Sequence, residues 1–193
     1  LGNYFSPGLE AKYPGVRWSQ FVGAEMLVKK HGLTKDDLDQ FALSSHLKAI
    51  AATHAGAFAG EIVGIEIETH EGRQIHNTDE GIRFDATLES IAGVKLMMEG
   101  GSLTAASASQ ICDGASAALI ASEAAVKEHG LTPVARIHNL TVTAGDPVIM
   151  LEEPLFATDR ALQRAGMKLS DIDLFEVNEA FASVPLAWLK HTG

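Results

Sequence analysis

The stretch Ile172–Val177 is an apolar run of strand length, and it ends abruptly on Asn178-Glu179 before small and aromatic residues resume at Ala180-Phe181-Ala182. No other part of the chain constrains the fold as tightly. A buried strand that runs straight into a helix belongs to layered α/β architecture, where helices cover the faces of a sheet. The sequence just upstream has the same rhythm. Val134–Leu140, β-branched and apolar, predicts a buried strand, and Pro154–Ala165 predicts a helix stopped by Gly166. A last helix is expected from Glu179, N-capped by Asn178 and kinked at Pro185. The second half therefore reads as α/β.

The first half has a different texture. Residues 1–20 read as irregular loop, and residues 22–31 as a short helix closed by Gly32 at C′. Thr34-Lys35-Asp36-Asp37 is a capping box with Asp in the Glu position, opening a helix to about His54. On that helix Leu38, Phe41 and Ala42 form the inner face, and Asp36, Asp37 and Asp39 are expected to stay in water. Alternation from Val63 to Ile67 predicts a half-buried strand, residues 71–86 a turn-rich connection, and Leu88–Met98 a short helix. Ser102–Ala106 reads as a strand, and Gly114–His129 as a long Ala-rich helix closed by Gly130. The phrase His-Gly-Leu-Thr at 31–34 and 129–132 is one helix-stop chemistry used twice, not a repeat.

Composition narrows the function classes. With 193 residues, 46% hydrophobic and 21% charged, the chain can bury a real core. A formal charge of −10 opposes non-specific nucleic-acid binding and attraction to anionic membranes. The single cysteine, Cys112, excludes an internal disulfide framework and a Cys-based metal cluster, and suits a cytoplasmic setting. No apolar run is long enough to span a bilayer, since Glu123 interrupts the Ala-rich stretch 115–126, and no basic, apolar leader is visible. The chain opens at Leu1 in loop-like sequence and closes inside a helix, and it reads as a portion of a longer protein.

Four features carry chemistry. An Asn at a helix start is ordinarily a cap, but strand ends are where α/β folds place their sites, which gives Asn178 a second reading. Small residues dominate from Ala105 to Ala118, and they suit either close approach of a ligand to backbone or tight packing; the stretch alone leaves both open. Cys112 has no base pattern beside it, so a buried, inert thiol is expected. Arg83, a solitary cation among acids with Ser90 nearby, is a solvated ion-pair residue or a phosphate clamp. The eight histidines show no metal-ligand spacing, and His46 reads as a helix-surface or packing residue.

Taken in order, seven segments resemble the thiolase family of acetyl-CoA acetyltransferases and 3-ketoacyl-CoA thiolases. They are GAEM at 23–26, DLDQFALSSHLKA at 37–49, GAFAGEIV at 56–63, DEGIR at 79–83, GGSLTAASASQICDGASAALI at 100–120, DPVIM at 146–150 and DIDLFEVNEAFA at 171–182. The resemblance implies a partial thiolase-like layered α/β fold. Residues 1–100 would be a mostly helical loop domain on the CoA-binding side, 101–132 the last strand and helix of the N-terminal half, and 133–193 the start of the C-terminal half. It implies an acyl-CoA C-acyltransferase, working by thiolytic cleavage of 3-ketoacyl-CoA or the reverse condensation through a Cys acyl-enzyme. Asn178 would hold a water that helps form the oxyanion hole.

The CoA contacts implied are Arg83 near the nucleotide, with Ala86 and Ser90 beside it. Ala108, Ser109 and Ile111 would lie along the pantetheine, and Met150, Ala180 and Phe181 would line the acyl end. CoA enters as substrate, with no cofactor and no metal, and the family pattern implies a homodimer or homotetramer in the cytoplasm. Thr104–Gln110, the Leu151–Pro154 turn and Ser19-Gln20-Phe21 depart from the common family pattern, the first two in the direction of lipid- or sterol-degrading members. Cys112 matches neither catalytic cysteine of the family. The nucleophilic Cys and its His are expected outside this chain, which alone is expected to be inactive. The competing reading is a catalytically incomplete CoA-binding or scaffold module.

Overall fold

A computed structural model describes residues 5–193. The chain forms α1 (Pro7–Lys12), α2 (Gln20–Lys30), α3 (Lys35–His54), β1 (Ile65–Thr69), β2 (Gly72–His76) and α4 (Leu88–Ala92). A 3-10 turn at Ala105–Ser107 leads on to α5 (Glu123–Glu128), α6 (Glu153–Ala165) and α7 (Ser183–Thr192). The loop expected over 1–20 thus contains a short helix, capped by the Ser6 hydroxyl accepting from Leu9 N–H; residues 1–4 of that loop lie outside the described residues.

Helices α2, α3 and α6 form where their local signals place them. The Thr34 hydroxyl accepts from Asp37 N–H while the Asp37 carboxylate accepts from Thr34 N–H, completing the box. These hydrogen bonds from Thr34 hold the Asp37 carboxyl below the ordinary carboxylate range. Gly32 takes φ 58°, and Leu33 N–H reaches back to the Val28 carbonyl at 2.9 Å, the bond that closes a Schellman stop. Gly130 (φ 60°) and Leu131 do the same to Val126 at 3.0 Å, so the repeated phrase performs one job twice.

The core joins α2 to α7. Ala24, Leu27 and Val28 pack with Val184, Ala187 and Trp188, and Leu38, Leu103, Ile149, Leu155 and Phe181 complete the cluster. Each fully buried Leu side chain contributes about 1.5–3 kcal/mol. The Ile149 turn approaches α2 closely because Gly23 has no side chain: a Cβ there would lie 2.6 Å from the Ile149 carbonyl oxygen. Glu152 ties the ends together, accepting from Lys30 Nζ at 2.7 Å and bonding His31 Nε2 at 3.0 Å. Burial pushes the Glu152 carboxyl up, but the bonds to Lys30 and His31 outweigh it and leave the group below its usual range. Lys190 Nζ adds bonds to the His31 and Gly32 carbonyls at 3.0 and 3.2 Å.

Several expectations fail, most for a common reason. Residues 134–140 and 172–177 belong to no strand, with Val134 101% and Leu174 89% exposed. A strand needs a neighbour to satisfy its N–H and C=O groups, and none lies beside these segments among the described residues. The Ala-rich helix shrinks to α5, because residues 114–122 are exposed throughout and their small side chains bury little. The strand expected at 102–106 is reduced to a bridge from Thr104 to Leu96 followed by the 3-10 turn, and the 88–98 helix stops at Ala92.

The expected half-buried strand runs Ile65–Thr69 and is largely exposed, pairing antiparallel with β2, which lies in the supposed connection. The last helix starts at Ser183, capped by Ala182 rather than Asn178, because Ala180–Ala182 is taken up by pairing with Ser107–Ser109. Pro185 then falls in the first turn, where its missing N–H has no helical partner to lose, so no kink is required. Asp39 is 3% exposed rather than wet, paired with Lys35. No helix among the described residues is long and apolar enough to cross a membrane.

Candidate functional site

Four segments converge on an open cleft of about 1030 Å³. On α3, Phe41, Ala42, Ser45 and His46 fall at i, i+1, i+4 and i+5, one side of the helix, and form one wall. The turn carrying Arg83, Asp85 and Ala86 forms the rim, with Ser90 on α4 beyond it. The floor is the small-residue run 105–111, and Asn178–Ala182 closes the far side.

Hydrogen bonds lock these segments in register. Ser109 N–H donates to the Ala180 carbonyl at 3.0 Å, and Ala182 N–H to the Ser107 carbonyl at 2.9 Å. The Ser109 hydroxyl donates to the Glu179 carbonyl at 2.9 Å, and the Ser45 hydroxyl to Glu179 Oε2 at 2.8 Å. The small-residue run both pairs with Ala180–Ala182 and lines the cleft, so it serves packing and access together. The rim turn is braced from both sides: Gln110 Nε2 donates to the Gly81 carbonyl at 2.6 Å, and Arg83 N–H donates to His46 Nδ1 at 3.3 Å. The Phe84 ring rests on His54 at 5.8 Å.

Nine of the ten sequence-derived positions line this cleft: Asn178, Arg83, Ala86, Ser90, Ala108, Ser109, Ile111, Ala180 and Phe181. The tenth, Met150, does not. It sits on a smaller, separate cavity of about 240 Å³ beside Asp146 and Glu153. Its Cγ would be 3.4 Å from a Cβ built on Gly23, and it is the one non-glycine among the described residues at positive φ, 42°. Cys112 is exposed, not buried as expected, because the run around it packs against nothing.

The side chain of Asn178 is exposed to the cleft and hydrogen-bonds to nothing among the described residues. The Arg83 guanidinium is likewise without an ion-pair or hydrogen-bond partner among them, so the solvated salt bridge weighed for it is absent. An amide and a cation left unpaired across an apolar-floored cleft can bind an extended ligand that carries a polar centre and an anionic end. Among the described residues no cluster of His, Cys, Asp and Glu could hold a metal ion. Sequence reasoning missed Gln20, Phe21, Ser45, His46 and Glu179 as wall residues. Phe21 packs edge-on against Phe181 at 5.4 Å, a contact between distant segments that no local pattern announces.

The chain matches the family models for the thiolase N-terminal domain over residues 18–124 and the thiolase C-terminal domain over 131–193. It is 47% identical over 192 residues to a steroid 3-ketoacyl-CoA thiolase of Mycobacterium tuberculosis, covering 97% of this chain and 46% of the relative. A 3-ketoacyl-CoA thiolase of Shewanella frigidimarina is 43% identical over 192 residues, covering 98% and 50%. The chain spans about half the length of these curated relatives. Among solved structures, human mitochondrial 3-ketoacyl-CoA thiolase superposes with a TM-score of 0.83 at 43% identity, over 86% of this chain and 42% of that one. The acetyl-CoA acetyltransferase of Bacillus anthracis does so with 0.83 at 36% identity, over 93% and 46%.

Proposed function

The chain belongs to the thiolase family and has part of its α/β fold, and from that premise we propose that it supplies the CoA-binding cleft and one oxyanion-stabilising residue of a 3-ketoacyl-CoA thiolase. The observation that carries the reading is the convergence of nine positions, carried over by motif order from separate segments, on one cleft. Within it Asn178 offers an unpaired amide just after the Ile172–Val177 segment. An amide held there positions a water, or donates itself, toward the thioester oxygen as negative charge develops.

Arg83 is assigned to the nucleotide phosphates, with Ala86 and Ser90 beside it. Ala108, Ser109 and Ile111 run along the pantetheine, and Ala180 and Phe181 approach the acyl end. The acyl-enzyme Cys and its activating His are assigned to parts of the enzyme outside these residues. The substrates are 3-ketoacyl-CoA thioesters of lipid or steroid breakdown, a class supported by the name of the Mycobacterium tuberculosis relative. A cytoplasmic homodimer or homotetramer is the assembly this family membership favours.

The test is calorimetric titration of the purified polypeptide with CoA. Saturable binding is expected, weakened about tenfold or more by Arg83→Ala with the circular dichroism spectrum unchanged. Binding that is absent, or indifferent to Arg83, refutes the assignment.

A further inference from the structure

His46 stands on the α3 wall of the cleft, one residue beyond the Ser45 that holds Glu179. Its Nδ1 lies 3.3 Å from the Arg83 backbone nitrogen, and only the backbone group can donate. Nδ1 therefore carries no proton, and the neutral ring must carry it on Nε2. That Nε2–H has no hydrogen-bond partner among the described residues. The turn His46 holds is the one that carries the Arg83 guanidinium, also unpaired. Two residues with unused donors, one a neutral ring fixed in tautomer and one a cation, thus line one cleft and are joined through the Arg83 backbone.

We propose that His46 is a ligand-binding residue of this cleft, donating Nε2–H to a phosphate oxygen of CoA beside Arg83. The inference rests on the CoA reading above. It assigns His46 two jobs: Nδ1 shapes the rim turn from behind, and Nε2 faces the ligand. The oxygen is anionic rather than an amide carbonyl because the neighbouring guanidinium is unneutralised, and paired donors of this kind favour phosphate. Asp85, which also lines the rim, opposes an anion there, so a second donor beside Arg83 has a physical use.

The two nitrogens can be separated by substitution. His46→Asn keeps an acceptor near the Nδ1 position and removes the Nε2 donor, while His46→Gln does the reverse. Calorimetric titrations of both variants with CoA, dephospho-CoA and pantetheine read the ligand side. Amide exchange at Arg83 reads the rim.

We expect His46→Asn to weaken CoA binding about tenfold while pantetheine binding and Arg83 exchange stay as in the parent. His46→Gln should retain most of the CoA affinity while Arg83 exchange quickens. A penalty that persists with dephospho-CoA places the oxygen on the pyrophosphate; one that disappears places it on the 3′-phosphate. If His46→Asn leaves CoA affinity intact, His46 only props the turn and the proposal fails. An equal loss with pantetheine overturns the phosphate assignment. Failure of the parent chain to bind CoA at all removes the cleft assignment itself, and this inference with it.

Discussion

Asn178 and Gly23 are constrained for opposite reasons. Asn178 is exposed with a free amide, so its replacement should cost chemistry rather than fold. In the active enzyme, Asn178→Ala is expected to lower kcat for thiolysis about 10²-fold, the size of one lost oxyanion donor, with thermal stability unchanged. A rate equal to the parent would take Asn178 out of the mechanism. Gly23 is the reverse case, since its Cβ would sit 2.6 Å from the Ile149 carbonyl oxygen. Helix propensity favours Ala over Gly by up to about 1 kcal/mol, but a backbone clash of this size costs about 1–3 kcal/mol and dominates. Gly23→Ala should therefore lower Tm by roughly 2–10 °C, measured by differential scanning calorimetry. A gain in Tm would show that the Ile149 turn yields freely.

At the level of elements, sequence was a good guide wherever the signal was local. The Thr34–Asp37 box, the Gly32 stop and the Gly166 stop all act within a few residues, and α2, α3 and α6 follow from them. Of the expected strands only the one around Val63–Ile67 forms, as β1, because a strand's stability resides in its neighbour and β2 supplies one. Ile172–Val177 and Val134–Leu140 have strand composition, yet nothing among the described residues pairs with them. The β2 strand was missed for the complementary reason: Gly-Arg-Gln-Ile-His looks like connection, and only its register against Ile65–Thr69 makes it a strand.

Nine of the ten positions taken from motif order share one cleft, because backbone pairing between Ser107–Ser109 and Ala180–Ala182 brings their segments together. Motif order groups Met150 with these positions, but backbone geometry beside Gly23 takes it to the neighbouring cavity. His46 reads as a helix-surface or packing residue because nothing in the sequence tells which ring nitrogen meets the Arg83 amide.

Across the whole molecule, α2 and α6 are clamped together by Glu152, whose side chain is almost fully buried against Lys30 and His31, and Lys190 ties α7 to the same corner. Its depressed carboxyl means that the stabilisation is fully present above the carboxyl's unfolded value, and is lost as pH falls through the lower folded value. Glu152→Gln should thus cost about 1–2 kcal/mol at neutral pH, a figure kept low because Lys30 is largely in solvent. The gap between parent and variant in urea unfolding should close as the solution is acidified below about pH 4. A gap independent of pH would assign the effect to packing alone.

The exposed thiol of Cys112 carries a practical consequence at the same scale. The chain has one cysteine, it is exposed, and it is adjacent to Ile111 on the cleft floor. A maleimide dye attached there yields one fluorophore per polypeptide at a known address, so occupancy of the floor can be followed optically without adding any residue.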